Sequence, residues 1–348
     1  MRNAGSAGRQ AHEVVGLYGD PDTTWGICLE LGLAATPDPA EAADRLAALV
    51  AEHPHLGPAP RVEVVPATEW AERRERAAAA PYAAGGELVR VLLDGERRLL
   101  VAAHHGVCDG LGLLAIARAA CGVEVVAHAR GIGDRAAPRS FLRSSIGRLA
   151  EAVLRPPPRF GSHQVAPAKG EHLVISSLPR TGTGTADLAL AVGAVFRAWS
   201  GDSRKHPLLV AGASRRATGM LAPDRQTAYL RFRLDPSWGR DAARAAFAAV
   251  LPEPEFPETS AGGIGPRVTR MLRSRLGGTA QISNLGVVEA AGLEYAAMFP
   301  ALSGPRAFAV GLVSTGTATT VSLRTRATEF SASDTAALLD LLVAELAQ

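Results

Sequence analysis

Little in this sequence can cross-link, chelate or stack. Its 348 residues hold three cysteines, Cys28, Cys108 and Cys121. So sparse and odd a set gives no disulfide framework and no paired Cys-x-x-Cys zinc pattern. Four tyrosines and nine phenylalanines are too few for a base-stacking platform. Charge of either sign is not in surplus: 37 Lys+Arg against 34 Asp+Glu leave +3, which excludes a polybasic nucleic-acid arm. Apolar runs such as LLVAA at 99–103 fall far short of the ~20 residues a membrane span needs. The opening MRNAGSAGRQAHEVV has no apolar core of the kind a secretory leader carries. The expectation is a cytoplasmic protein with reduced thiols, no membrane span and no nucleic-acid partner.

What remains is ordinary globular material, 47% apolar and 20% charged. At roughly 150 residues per domain the length suits two domains. Periodicity predicts strands over 25–33, 61–66, 88–93 and 97–104, the last two joined by Asp94-Gly95, a hairpin signal. Helices are expected after Pro37-Asp38-Pro39, where Ala43, Leu46, Leu49 and Val50 recur at helical spacing, and over 68–80, 111–120 and 141–154. Residues 129–172 break the rhythm with Gly, Pro, Ser and Arg, above all at Pro156-Pro157-Pro158. A strand at 171–178 and a long apolar helix at 185–199 reopen it. Strands follow at 207–213, 228–234, 281–284, 307–314 and 319–325, and a helix capped by Ser331 or Ser333 closes the chain. This reads as mixed α/β: an N-terminal unit over 1–155, a crossover linker over 156–172 and a C-terminal unit over 173–348.

The segment that carries chemistry is His104-His105-Gly106-Val107-Cys108-Asp109-Gly110, at the end of an apolar strand and the start of an apolar helix. Neighbouring strand residues point to opposite faces, so one histidine faces a cleft while the other faces the interior. For the same reason the two cannot easily share a metal ion with Cys108, and no metal is expected. Cys108 reads as a small apolar filler and Asp109 as a helix cap or the partner of a buried cation.

HHGVCDG matches the HHxxxDG signature of the chloramphenicol-acetyltransferase-like superfamily. That superfamily includes nonribosomal-peptide condensation domains, polyketide-associated acyltransferases, wax-ester synthases and plant BAHD acyltransferases. The resemblance extends to Glu52-His53-Pro54-His55-Leu56, to the helix at 185–199, to Ser283-Asn284-Leu285-Gly286 and to the terminal strand-strand-helix. A DFGWG motif is absent, which points away from the BAHD branch. The resemblance implies two CAT-like subdomains in a V, with a cleft or tunnel between them that holds the active site. It implies His105 as general base, His104 and Asp109 as structural residues, and Gly110 as the small residue that keeps the tunnel open. In the family the aspartate pairs with an arginine of the second half. Arg215 is the favoured match in Gly212-Ala213-Ser214-Arg215-Arg216, with Arg216 the alternative. Ser283 and Asn284 become candidates for substrate contact.

The implied function is acyl transfer or condensation in secondary or lipid metabolism. The donor is an acyl thioester on coenzyme A or an acyl or peptidyl carrier protein. The acceptor is a small alcohol or amine, and no bound cofactor is required. Two other readings stand beside it: a carrier-protein docking module without chemistry, and a cyclase using the same cleft. Two arginine-rich stretches, one from Arg135 to Arg159 and one from Arg267 to Arg275, read as solvated faces or as a basic surface for an acidic carrier or coenzyme A phosphates. The glycine-rich AGGIG at 261–265 lacks the nucleotide-cradle pattern and reads as a loop.

Overall fold

The computed structural model describes residues 24–82, 86–161, 169–179, 181–201, 205–254, 271–272, 275–302, 304 and 306–348. In chain order the first half runs β1 (Gly26–Leu33), α1 (Pro39–Glu52), β2 (Val62–Val64), α2 (Trp70–Ala79), β3 (Val89–Leu93), β4 (Arg98–His104), α3 (Gly110–Cys121), β5 (Val125–Ala127) and α4 (Phe141–Leu154). The second runs β6 (Glu171–Leu178), α5 (Thr185–Ser200), β7 (Leu208–Ser214), β8 (Thr227–Arg233), α6 (Arg240–Ala249), β9 (Ala280–Ala290), β10 (Leu293–Phe299), β11 (Phe308–Ser314), β12 (Thr319–Arg326) and α7 (Ala332–Ala347).

Local chemistry fixes the element ends. Asp94 Oδ1 accepts from the backbone N–H groups of Glu96, Arg97 and Arg98 at 2.7–2.9 Å, closing the β3–β4 hairpin. Gly95 supplies the positive φ of +75° that the turn requires. Asp38 caps α1, and Ser331, rather than Ser333, caps α7 through Asp334. The predicted 68–80 helix begins as a 3-10 turn at Ala67–Glu69 before α2.

Two sheets organise the chain. One has the order β10-β1-β4-β3-β2; the other has the order β6-β12-β11-β9-β7-β8, with β5 joined to β9. The sheets do not respect the linker boundary read from sequence. Leu293–Phe299, deep in the second half, pairs antiparallel with β1, Cys28 opposite Phe299. No strand was expected there, because LEYAAMF carries neither β-branched residues nor clean alternation. Its place is set by packing: Ala296 and Met298 enter the first core beside Leu29, Leu31 and Val101.

Ser283-Asn284-Leu285-Gly286 sits where β9 changes partners within the second sheet. Residues 280–284 pair in parallel with β11, whereas 288–290 pair with β5 of the first half. Gly286 makes the bend at φ +72°, with the Ala129 backbone 3.1 Å from where a Cβ would stand. Only glycine tolerates both that angle and that approach. The junction is further clamped by Arg324, fully buried, whose guanidinium donates to the carbonyls of Gly26, Ala78 and Pro300 and pairs with Glu171. The second core is centred on Phe160, Phe196 and Phe308, with ring centroids 5.0 and 4.2 Å from Phe160. Among the described residues no helix is long and apolar enough to cross a membrane.

Candidate active site

The last residue of β4, His104, and its neighbour His105 diverge as strand alternation requires. His104 is 1% exposed, its ring edge-on to Tyr82 at 5.5 Å and its Nδ1 accepting from the Gly106 N–H. His105 instead lines a cavity of about 550 Å³ walled by both halves, among them Gly110, Ser214, Tyr229, Ser283 and Met298.

The hydrogen bonds of His105 define its tautomer. Nδ1 lies 3.1 Å from the Cys108 carbonyl, which can only accept, so Nδ1 carries the proton. Nε2 is left with a lone pair and accepts from the Tyr229 hydroxyl at 2.8 Å. Burial, reinforced by the positive charge of Arg225, lowers the His105 pKa from 6.5 to about 4, against the opposing pull of the Cys108 carbonyl and Asp109. The imidazole is therefore neutral near pH 7, with one basic nitrogen. Cys108 is fully buried, and burial first of all, with Asp109 beside it, pushes its thiol well above the usual range. Such a thiol is a poor nucleophile. Among the described residues no cluster could hold a metal ion.

Asp109 is a hub. Its Oδ1 accepts from the Gly112 N–H at 2.9 Å and caps α3; its Oδ2 accepts from the Gln226 N–H at 2.8 Å and the Thr227 hydroxyl at 3.2 Å. Its cationic partner is Arg216, whose Nη1 reaches both carboxylate oxygens at 2.8 Å. This corrects the choice of Arg215, whose guanidinium turns away to the Arg135 carbonyl at 3.0 Å. The reason is parity at the end of β7. Ser214 faces the cavity, its hydroxyl accepts the Arg216 N–H at 3.0 Å, and the residue between them points the other way.

Arg216 also binds the Asp224 carboxylate and the Asp224 carbonyl, drawing the loop 215–226 over the start of α3. Burial disfavours its charge, but Asp109 and Asp224 outweigh that and raise its pKa. From the first half, His55 Nε2 donates to the Pro223 carbonyl at 2.8 Å. Gly112 lets the loop close: a Cβ there would stand 2.8 Å from the Asp224 carbonyl oxygen.

Gly110 borders the cavity, and a Cβ on it would meet Leu285 at 2.7 Å and Met298 at 3.4 Å. Ser283 and Asn284 both reach the cavity wall. The Asn284 carboxamide is engaged by the backbone, donating to Thr183 at 3.0 Å and accepting from Gly286 at 2.8 Å. Tyr229 was missed in sequence. Its signal was faint: β8 alternates a buried face of Ala228, Leu230 and Phe232 with a half-buried face of Thr227, Tyr229, Arg231 and Arg233, but nothing local says which face meets His105. Arg267, Arg270, Arg273 and the 261–265 loop lie outside the described residues.

Fold and site together define a two-lobed protein with a buried, neutral histidine in the cavity between its sheets. No protein-family model matches the sequence, and no curated protein matches it significantly. Solved structures do match. The first condensation domain of the calcium-dependent antibiotic synthetase, in complex with substrate analogue 2a, aligns over 99% of this chain and 95% of its own, with TM-score 0.62 and 14% identity. A variant of the starter condensation domain of the rhizomide synthetase RzmA, in complex with C8-CoA and Leu-SNAC, aligns over 99% and 93%, with TM-score 0.59 and 14% identity. The epimerization domain from the third module of tyrocidine synthetase B aligns over 93% and 91%, with TM-score 0.54 and 13% identity. The chain shares the fold of these condensation domains, mixed α/β with two CAT-like subdomains.

Proposed function

We propose that this protein transfers an acyl group from a coenzyme A or carrier-protein thioester to an alcohol or amine, with His105 as general base. A fold shared with an epimerization domain does not choose the reaction; the site must. The observation that carries the reading is the His105 tautomer, with Nδ1–H fixed on the Cys108 carbonyl and the Nε2 lone pair turned to the Tyr229 hydroxyl at the cavity wall, where an acceptor that displaces the hydroxyl can give up its proton. The acceptor oxygen or nitrogen attacks the thioester carbonyl carbon as Nε2 takes its proton. The tetrahedral intermediate then collapses, the carbon–sulfur bond breaks, and the thiolate recovers the proton from Nε2. Asp109, Arg216, His104 and Gly110 support this by fixing the turn after β4 and the start of α3. Ser283, whose hydroxyl is not taken up by the backbone of the described residues as the Asn284 carboxamide is, is the better placed for substrate contact. The complex of a similarly folded starter condensation domain with C8-CoA and Leu-SNAC favours a thioester co-substrate.

The test is thiol release from a panel of acyl thioesters, with and without alcohol and amine acceptors. Acceptor-dependent release with the matching ester or amide as product supports transfer. Release that ignores the acceptor, or product without thiol loss, overturns it.

Two further results are expected. The acid limb of kcat/KM should lie near pH 4 to 5 and not near 6.5, because the folded imidazole stays neutral until about pH 4. The same shift acts on stability. Between pH 6.5 and about 4 the unfolded chain binds a proton that the folded one refuses, so this group's contribution is whole above 6.5 and lost as pH falls. A limb near 6.5 in a pH–rate profile would contradict the burial of this base.

Tyr229 competes with the acceptor for Nε2. Phenylalanine keeps the edge-on ring contact, centroids 6.2 Å apart, and removes the hydroxyl. Tyr229→Phe should lower the acceptor KM by roughly 2- to 10-fold, the value of one net hydrogen bond. A raised KM would assign the hydroxyl to acceptor binding instead.

A further inference from the structure

Helix α4 presents its apolar face outward. Leu142, Ile146, Val153 and Leu154 are 69%, 59%, 53% and 82% exposed. At 100° per residue Leu142, Ile146 and Val153 fall within about 40° of one another and form a ridge about 17 Å long, with Leu154 flanking its C-terminal end. The opposite side is anchored: Glu151, the helix's one acid, is bound by Arg231 and Arg233, Arg148 pairs with Glu253 at 2.9 Å, and Ala152 is buried. Rolling the helix to hide its leucines would break all of these contacts. Arg139, Arg143 and Arg155 stand exposed around the ridge.

From this juxtaposition of an outward apolar ridge and an arginine rim we infer that α4 seats the protein on an anionic lipid surface. The charge complementarity is specific in sign, since the only carboxylate of the helix is turned inward. The shape selects lipid over protein. A bilayer interface is fluid and moulds around a convex aliphatic ridge, whereas a protein partner must offer a matching groove. Arginine stems extend along the apolar face and carry their charge to the headgroups.

The test is flotation of the whole chain with vesicles of phosphatidylcholine alone and of phosphatidylcholine containing about one third phosphatidylglycerol. Binding is expected to the anionic vesicles, weakening as salt rises. Leu142→Ser, Ile146→Ser and Leu154→Ser combined should reduce it at least about tenfold with Tm retained, because these side chains leave water only on the membrane. Arg139→Glu with Arg143→Glu should abolish the preference for phosphatidylglycerol. No binding to anionic vesicles, or binding indifferent to both sets of changes, overturns the inference. So does a wild-type dimer in light scattering that the serine variant turns into monomer, which would assign the ridge to a second copy. Capture of an acidic carrier protein in place of vesicles would overturn it in favour of a protein partner. None of these readouts uses catalysis, so they stand or fall apart from the acyl-transfer reading.

Discussion

His105→Ala is expected to lower acceptor-dependent thiol release by roughly 10²–10⁴-fold, the usual contribution of a positioned general base. That corresponds to about 3–5 kcal/mol of activation free energy. The loss should fall on kcat, because the imidazole is used when the acceptor's proton moves and much less when the thioester binds. His105 makes no ion pair among the described residues, and its neutral ring is held by one carbonyl and one hydroxyl. Its removal should therefore cost activity well beyond stability. A thermal melt separates the two: a large fall in kcat with Tm within a few degrees supports the base. Unchanged kcat would remove His105 from the chemistry and leave the docking reading to be tested by carrier-protein binding.

The second large effect is on stability. Arg216→Met should destabilise the protein by about 3–5 kcal/mol, because it strands the Asp109 carboxylate in a buried site after removing its charged partner. Asp109 is 3% and Arg216 5% exposed, so water cannot replace the lost bonds. A Tm fall of about 10 °C is expected for a chain of this size. Arg215→Met, one residue away but bound to a backbone carbonyl, should cost about 1 kcal/mol or less. Adding Asp109→Asn to Arg216→Met should recover part of the loss, since asparagine still caps α3 but leaves no stranded charge. Equal melting temperatures for the two arginine variants would contradict the pairing described above. Activity at a temperature where Arg216→Met stays folded should also fall, because Asp109 fixes both the turn that carries His105 and the strand that carries Tyr229.

Much of this was legible in one dimension. Asp94-Gly95 closed its hairpin, Asp109 capped its helix, and the alternation at His104–His105 separated a cavity residue from a packed one. These features depend on backbone geometry within a few residues, where side-chain periodicity and capping chemistry act. The arginine partner of Asp109 was half legible. The segment was found, but choosing between adjacent arginines needs the strand's exit angle, which Ser214 sets by binding the Arg216 N–H.

Other features had no local cause. Leu293–Phe299 is a strand because β1 offered an edge and the first core had room for Ala296 and Met298. Ser283-Asn284-Leu285-Gly286 was visible as a segment, but its work as the bend at which β9 turns from β11 to β5 was not. Tyr229 meets His105 across 124 residues of chain, and the exposure of α4's leucines follows from ion pairs on its far side. The sequence by itself determined the mixed α/β pattern, the element ends and the residue types of the site, because each rests on propensity, periodicity or a cap within one turn of the chain. Tertiary structure alone decided the strand exchange between the sheets, the Asp109–Arg216 pairing, the tyrosine on the histidine's basic nitrogen and the outward face of α4, because each is settled by which distant surfaces bury one another.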